Sequence, residues 1–235
     1  MNTHIIEVEG KMEVNNPLYR KQGIHVIANI FTIEKGETKV LLIKRKNKPY
    51  TGMWALVGGA LYNNEDLNDG MKRELKEKSG ITNIELVLSN VFGKVDRSPV
   101  MRMVAVSYIG VIDAGRVSIL KDTLKTSDAE WFNIDDLPEL AYDHRELIDE
   151  AITKLKSLIV ESDILRSLYP DGFTIPEIQK AYETVLEQSF DRRNFRKKLL
   201  SLDLIEDTGK EVTFAGRRPA KLYKFKVKAQ NKKIF

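Results

Sequence analysis

Residues 59–81 read Gly59-Ala-Leu-Tyr-Asn-Asn-Glu65-Asp-Leu-Asn-Asp-Gly-Met-Lys-Arg73-Glu74-Leu75-Lys-Glu77-Lys78-Ser-Gly80-Ile81. Gly59 is followed by five residues and Glu65, then by seven more and Arg73-Glu74-Leu75. Glu77, Lys78, Gly80 and Ile81 complete the pattern. Asn64 suits the N-cap of a helix that runs to Ser79. Gly80 suits its stop, because glycine takes left-handed backbone angles freely. Leu67, Met71, Leu75 and Lys78 fall at helical spacing along it, and Glu74 and Glu77 share a face. Just upstream, Trp54-Ala55-Leu56-Val57-Gly58-Gly59 reads as a short strand ending in paired glycines.

Around this stretch lies a chain of 235 residues, enough for one large domain or two small ones. An apolar content of 42% supports a globular core. The absence of cysteine excludes disulfides and Cys-based zinc sites and points to the cytoplasm. The sequence shows no leader peptide, and its longest apolar run is too short for a membrane span. Charge is unevenly placed. Residues 1–155 carry 21 basic and 23 acidic side chains, net −2. From Asp191 onward 14 basic face 5 acidic, net +9. Two modules with different partners are expected, divided as residues 1–158 and 159–235.

Taken in order, the first twenty residues read as an arm. Ile24 to Thr32 and Val40 to Lys44 are β-rich runs around the turn at Glu34 to Glu37, so they form a hairpin. Arg45-Lys46-Asn47-Lys48-Pro49 then reads as a basic, solvated turn. Glu85 to Gly93 and Met101 to Asp113 are further strands, separated by the charged loop Gly93 to Pro99. Trp131-Phe132 opens a short strand, and Trp54 and Trp131 belong to the core. Asp143 to Leu158 is an amphipathic helix, with its apolar residues from Leu147 to Leu158 on one stripe. His144 sits at its start as a structural residue rather than a base. This order suits an α/β sandwich with helices on both sheet faces.

The last 75 residues follow another plan. Asp163 to Leu168 is helical. Thr174-Ile175-Pro176-Glu177 is a strong helix start, with a capping threonine, a first-turn proline and a glutamate three residues on. A further helix opens at Phe190-Asp191, burying Phe195, Leu199 and Leu202 and presenting Arg192, Arg193, Asn194, Arg196 and Lys197. Leu204 to Glu206 and Leu222 to Phe225 read as two strands around the basic loop Gly216-Arg217-Arg218-Pro219. Three helices followed by a β-hairpin is the order of a winged helix-turn-helix. Arginine, lysine and asparagine on one exposed helix match phosphate and base-edge chemistry. Arg217, Arg218 and Lys221 would meet the flanking backbone.

The pattern from Gly59 to Ile81 resembles the Nudix box, G-x5-E-x7-R-E-U-x-E-E-x-G-U, in which U is aliphatic. One fixed position differs: Lys78 stands where the family has glutamate. The approach from Trp54 and the segment Trp131-Phe-Asn-Ile-Asp-Asp-Leu-Pro138 are also similar to Nudix domains. The resemblance spans residues 20–158 and implies a mixed-sheet α/β/α sandwich. It also implies that Glu74 and Glu77 ligate magnesium, with the Gly59 carbonyl nearby, that Arg73 positions a carboxylate, and that Glu65 braces the loop. Lys78 reverses the charge at this site. Each unit pair at roughly 4–5 Å is worth about 3–4 kcal/mol at an effective dielectric near 20, with a sign that opposes the metal. The metal site from Glu74 and Glu77 is then weak or vestigial. No cofactor is required, and magnesium enters only with residual hydrolysis.

Nearly the whole chain resembles the NrtR family of Nudix-related transcriptional regulators. The likeness rests on the degenerate box, the segment from Asp191 to Glu206, the run Arg217 to Phe225, and Phe92-Gly93-x-x-Asp96-Arg97-x-Pro99 ahead of Arg102. The resemblance implies a homodimeric repressor that binds a double-stranded DNA operator. A small effector, such as ADP-ribose, a related nucleotide sugar or a pentose, would weaken that binding. Genes of NAD or sugar metabolism would be its targets. It also places the effector near Phe92, Asp96, Arg97 and Arg102. A second reading is a Nudix pyrophosphatase with an accessory C-terminal domain.

Overall fold

The structure is a computed structural model that describes residues 21–213, 216 and 218–226. The amino-terminal arm and Arg217 lie outside the described residues. Seven strands form one mixed sheet: β1 (Gly23–Glu34), β2 (Glu37–Arg45), β3 (Trp54–Ala55), β4 (Val57–Ala60), β5 (Val87–Phe92), β6 (Met103–Val111) and β7 (Thr126–Asn133). Two helices belong to the same module, α1 (Leu67–Ser79) and α2 (His144–Glu161). The strand at Trp131 therefore begins earlier, at Thr126, because Thr126 and residues 128–133 pair along β2, with a bulge at Ser127.

β1 is the organising strand. It runs parallel to β6 along its length, from Gly23↔Met103 to Phe31↔Val111. Its other edge changes partner: His25 to Ala28 pair with β4, and Phe31 to Glu34 pair with β2. The sheet forks where that change occurs. Side chains alternate across the pleat. Val26, Ala28 and Ile30 join one buried cluster with Met71 and Leu75 of α1. Ile27 and Phe31 join the other, with Leu147, Ile148, Ala151 and Leu155 of α2.

α1 starts later than the sequence suggests. Its N-cap is Asp66 rather than Asn64, while Asn64 falls in the preceding turn. Gly80 ends it in the left-handed conformation at φ 75°, and its N–H reaches the Lys76 carbonyl. Leu67, at the helix start, stays partly exposed, whereas Met71, Leu75 and Lys78 turn inward.

Past α2 the chain makes a 3-10 turn at Ile164–Leu168, in place of a full helix, and then α3 (Ile175–Leu186), α4 (Arg192–Ser201) and the hairpin β8 (Ile205–Val212) and β9 (Ala220–Phe225). Thr174 and Glu177 close a capping box at the start of α3. Phe173 bridges to Tyr223 of β9 and ties the hairpin to the helices. Ile178, Tyr182, Phe195 and Phe225 of this module share one buried cluster with Phe31 and Val40 of the sheet. Among the described residues, no helix is long and apolar enough to cross a membrane.

Candidate functional site

The fork in the sheet opens into a cavity of about 390 Å3. β1 supplies His25 and Ile27, β2 supplies Ile43 and Arg45, and β4 supplies Gly58, Gly59 and Ala60. Lys78 of α1, Lys125, Lys48, Tyr142 and His144 close the rest. Among the described residues the lining holds four cationic side chains, Arg45, Lys48, Lys78 and Lys125, and no carboxylate. Ile27, Ile43 and Leu56 form an apolar back wall.

α1 sets the box residues beneath this cavity, with Lys78 reaching its lining and Arg73, Glu74 and Glu77 packed behind it. Arg73 donates through Nε and Nη2 to the two oxygens of Glu65 at 2.8 and 2.6 Å, and also reaches the Ala60 carbonyl at 3.0 Å. Glu65 in turn accepts the Tyr62 N–H at 2.8 Å, and the Tyr62 ring lies 3.8 Å from the Arg73 guanidinium. The Arg73 hydrogen bonds hold the Glu65 carboxyl down at about 2. Arg73 Nη1 also donates to Glu74 Oε1 at 2.5 Å. Glu74 lies directly beneath Gly59, where a Cβ would fall on its carboxylate. That close approach explains a glycine at position 59.

Lys78 points into the floor rather than out to water. Its ammonium lies 2.9 Å from Glu74 Oε2 in an ion pair, and it donates to the Gly58 carbonyl. Lys125 approaches from the far side, 4.0 Å from Glu74 and 3.1 Å from Glu77. Burial pushes the Glu74 carboxyl up, but Lys78, then Arg73 and Lys125, outweigh it and the net shift is down. Burial pulls Lys78 down against the opposing pull of Glu74. Glu77, half-exposed, is turned to Lys125 and Arg73. A divalent cation needs several hard oxygens directed at one point. Here cations already hold both carboxylates, and among the described residues no three His, Asp or Glu side chains gather to hold a metal. The residues present do not fit a divalent ion.

Two histidines face the same space. His144 Nδ1 accepts the Leu56 N–H at 3.0 Å. Burial, then Arg97, Arg45 and other cations, pull His144 down to about 3, and burial with Arg97 and Lys78 pulls His25 down to about 4. Both are therefore neutral at physiological pH. Tyr142 packs between the Tyr50 ring at 4.6 Å and the Arg45 guanidinium at 5.0 Å.

The expected effector residues do not line this cavity. Arg97 is buried and spent on Asp143, Asp96 is exposed, and Arg102 donates to the Lys94 carbonyl at 2.8 Å. Phe92 lines a separate open groove with Lys94 and Glu146. The basic turn after Arg45 is exposed at Lys46, Asn47 and Lys48, as expected, and it also lends Arg45, Asn47 and Lys48 to the cavity wall, where the Pro49 carbonyl accepts from Arg45 Nε at 3.0 Å. Sequence reasoning missed Lys48 and Lys125, which carry no motif and reach the site only through loop placement. Trp54 packs edge-on to Phe132 at 4.7 Å, and both Trp54 and Trp131 are half-buried against the core.

The second candidate surface is α4. Asp191 Oδ1 accepts the Asn194 N–H at 2.9 Å and caps the helix. Phe195 and Leu199 are buried, which turns Arg192, Arg193, Asn194, Arg196 and Lys197 to the outside. Gln179 and Glu183 of α3 bind the backbone of Phe190 at 2.9 and 3.0 Å and fix the turn into α4. Arg192 and Arg218 line one groove between the helices and the hairpin. Lys221 pairs with Asp207 at 2.7 Å.

Known proteins match both halves. A NUDIX domain family matches residues 23–151, and the NrtR DNA-binding winged helix domain matches residues 166–225. The "ADPR responsive transcriptional repressor NtrR" of Acinetobacter baylyi is 31% identical over 201 residues, covering 83% of this chain and 79% of that one. The crystal structure of Shewanella oneidensis NrtR complexed with a 27mer DNA aligns with a TM-score of 0.75 at 28% identity, over 88% of this chain and 94% of that one. The cocrystal structure of its NUDIX domain with ADP ribose aligns with a TM-score of 0.54 at 29% identity, over 60% and 93%. The chain belongs to the NrtR family, Nudix-derived transcriptional regulators with a C-terminal winged helix.

Proposed function

We propose that this protein is a transcriptional repressor that binds double-stranded DNA through α4 and its wing and releases it when ADP-ribose enters the cavity at the Nudix box. The observation that carries the reading is the pairing of a carboxylate-free, cation-lined cavity with an outward basic helix in one chain. Four cations offer charge to a diphosphate, and Tyr142 with the apolar back wall offers a surface for a base. The names of the Acinetobacter and Shewanella proteins support ADP-ribose over a pentose. On α4, Arg192, Arg193, Arg196 and Lys197 supply phosphate and guanine contacts, and Asn194 can read adenine. Arg218 and Lys221 follow the flanking backbone. Arg217 stays in this assignment on sequence grounds. Ile27 and Leu56 line the cavity and also belong to the core on which the winged helix packs, which supports a mechanical link between the two ends.

The repressor acts as a homodimer in this reading. β5 is an edge of the sheet, and Leu88, Val91, Val95, Val100 and Met101 on and after it are exposed apolar side chains. A dimer would read half-sites separated by about one or two helical turns. The test is selection of bound duplexes from a random pool, followed by fluorescence anisotropy with and without ADP-ribose. Sequence-selective binding that ADP-ribose weakens supports the reading. Binding indifferent to both sequence and ADP-ribose overturns it.

The pyrophosphatase reading has less support, because Glu74 and Glu77 are held by Arg73, Lys78 and Lys125. Release of AMP from ADP-ribose in the presence of Mg2+ at enzyme-like rates would restore it.

A further inference from the structure

We infer that the Lys78 ammonium is a built-in cation that replaces the divalent metal, so that the cavity holds a diphosphate group without any metal ion. The inference rests on reading the cavity as the effector site. It goes further by assigning the charge that a diphosphate needs to one side chain of the chain itself.

Three observations carry it. Lys78 is 8% exposed, yet its side chain lines the cavity, so its charge is directed inward rather than lost to bulk water. It touches a carboxylate and a backbone carbonyl at once, Glu74 Oε2 and Gly58 O, the kind of oxygen pair a hard cation would take. Lys125, Arg45 and Lys48 line the same space, and among the described residues the carboxylates that hold Lys78 and Lys125, Glu74 and Glu77, stand behind the lining rather than in it, so the walls a diphosphate meets here are positive or neutral. Glu74 is thereby recast as the counter-ion that holds Lys78 in position. A lysine differs from a metal in one useful respect: it offers N–H donors to phosphate oxygens but does not activate a water for attack on phosphorus. Such a site binds the ligand and leaves it intact.

The experiment is calorimetric titration of the full chain with inorganic pyrophosphate and, separately, with ADP-ribose, each in EDTA and in Mg2+. For the wild-type protein, both ligands should bind in EDTA, with affinities that Mg2+ does not improve. Lys78→Met should weaken both ligands roughly ten- to hundredfold under either condition, the loss of one charge-assisted contact. Lys78→Glu should bind neither in EDTA and regain ADP-ribose only with Mg2+. Binding of a selected DNA duplex shows that each variant is folded. A variant that does not fold is replaced by Lys78→Gln, with the same expected loss. Wild-type binding that needs Mg2+, or Lys78→Met binding as tightly as wild type, overturns the inference. Pyrophosphate bound in EDTA while ADP-ribose is ignored would uphold the metal-free anion site and sink the ADP-ribose reading instead. Failure of both ligands to bind under either condition overturns both.

Discussion

Arg97 and Asp143 face each other through two N–H···O bonds of 2.9 Å, with the guanidinium side chain only 2% exposed. The pair clamps the loop after β5 to the first residue before α2, behind the histidines of the cavity. Removing one partner leaves a buried charge without compensation, which costs about 3–5 kcal/mol. Urea unfolding should show that loss for Arg97→Ala. Arg97→Met combined with Asp143→Leu should recover most of it. An Arg97→Ala protein as stable as wild type would remove the clamp from the account.

Acid should destabilise the fold through His144 and His25. Both have folded values below the ordinary 6.5, at about 3 and about 4. The unfolded chain therefore binds more protons, so stability is fully present above pH 6.5 and is lost as pH falls toward 4. The slope is about 1.4 kcal/mol per pH unit for each histidine. Melting temperatures measured from pH 7.5 down to 4.5 should fall. His144→Asn, which keeps an acceptor for the Leu56 N–H, should flatten the profile.

Gly59→Ala should be poorly tolerated, although alanine is a small change. Its Cβ would occupy the space of the Glu74 carboxylate, which Arg73 and Lys78 hold from two other sides. Overpacking of this kind costs roughly 1–3 kcal/mol. Thermal denaturation reads the cost. An unchanged midpoint would mean that Glu74 can move aside.

On the DNA side, Arg192→Ala and Arg196→Ala should each reduce binding to a selected duplex without altering the circular dichroism spectrum. If one of them contacts only phosphate, its loss should lower the salt slope by about one and affect all sequences alike. If it reads a base, discrimination at one position should drop by about 1–3 kcal/mol. Unchanged affinity in both variants would move the interface away from α4.

The sequence was most readable where the chemistry is local. The intervals between Glu65, Arg73 and Glu74 are set by one loop and one helix, and the capping box at Thr174 and Glu177 spans a single turn. Helical period alone turned Lys78 inward beside Met71 and Leu75, but it could not say that the ammonium would meet Glu74. The cavity walls were hidden for a different reason. Lys125 is 48 residues from Glu77, and Arg97 is 46 residues from Asp143, so only the folded sheet and its loops bring them together. Arg45 and Lys48 looked like an ordinary charged turn because nothing within five residues of them predicts a cavity. The expectation for Phe92, Asp96, Arg97 and Arg102 came from the family resemblance, with the paired charges of the loop in its favour, and the guanidinium of Arg97 found a partner on another element.

The buried cluster that runs from Phe31 and Val40 through Ile178, Tyr182, Phe195 and Phe225 has a thermodynamic consequence. Two modules that share a core lose it together, so neither can open fully while the other stays closed. Calorimetry should record one melting peak rather than two. Any small molecule that binds the folded cavity then raises the melting point of the DNA-reading helix as well, by mass action on the folded state.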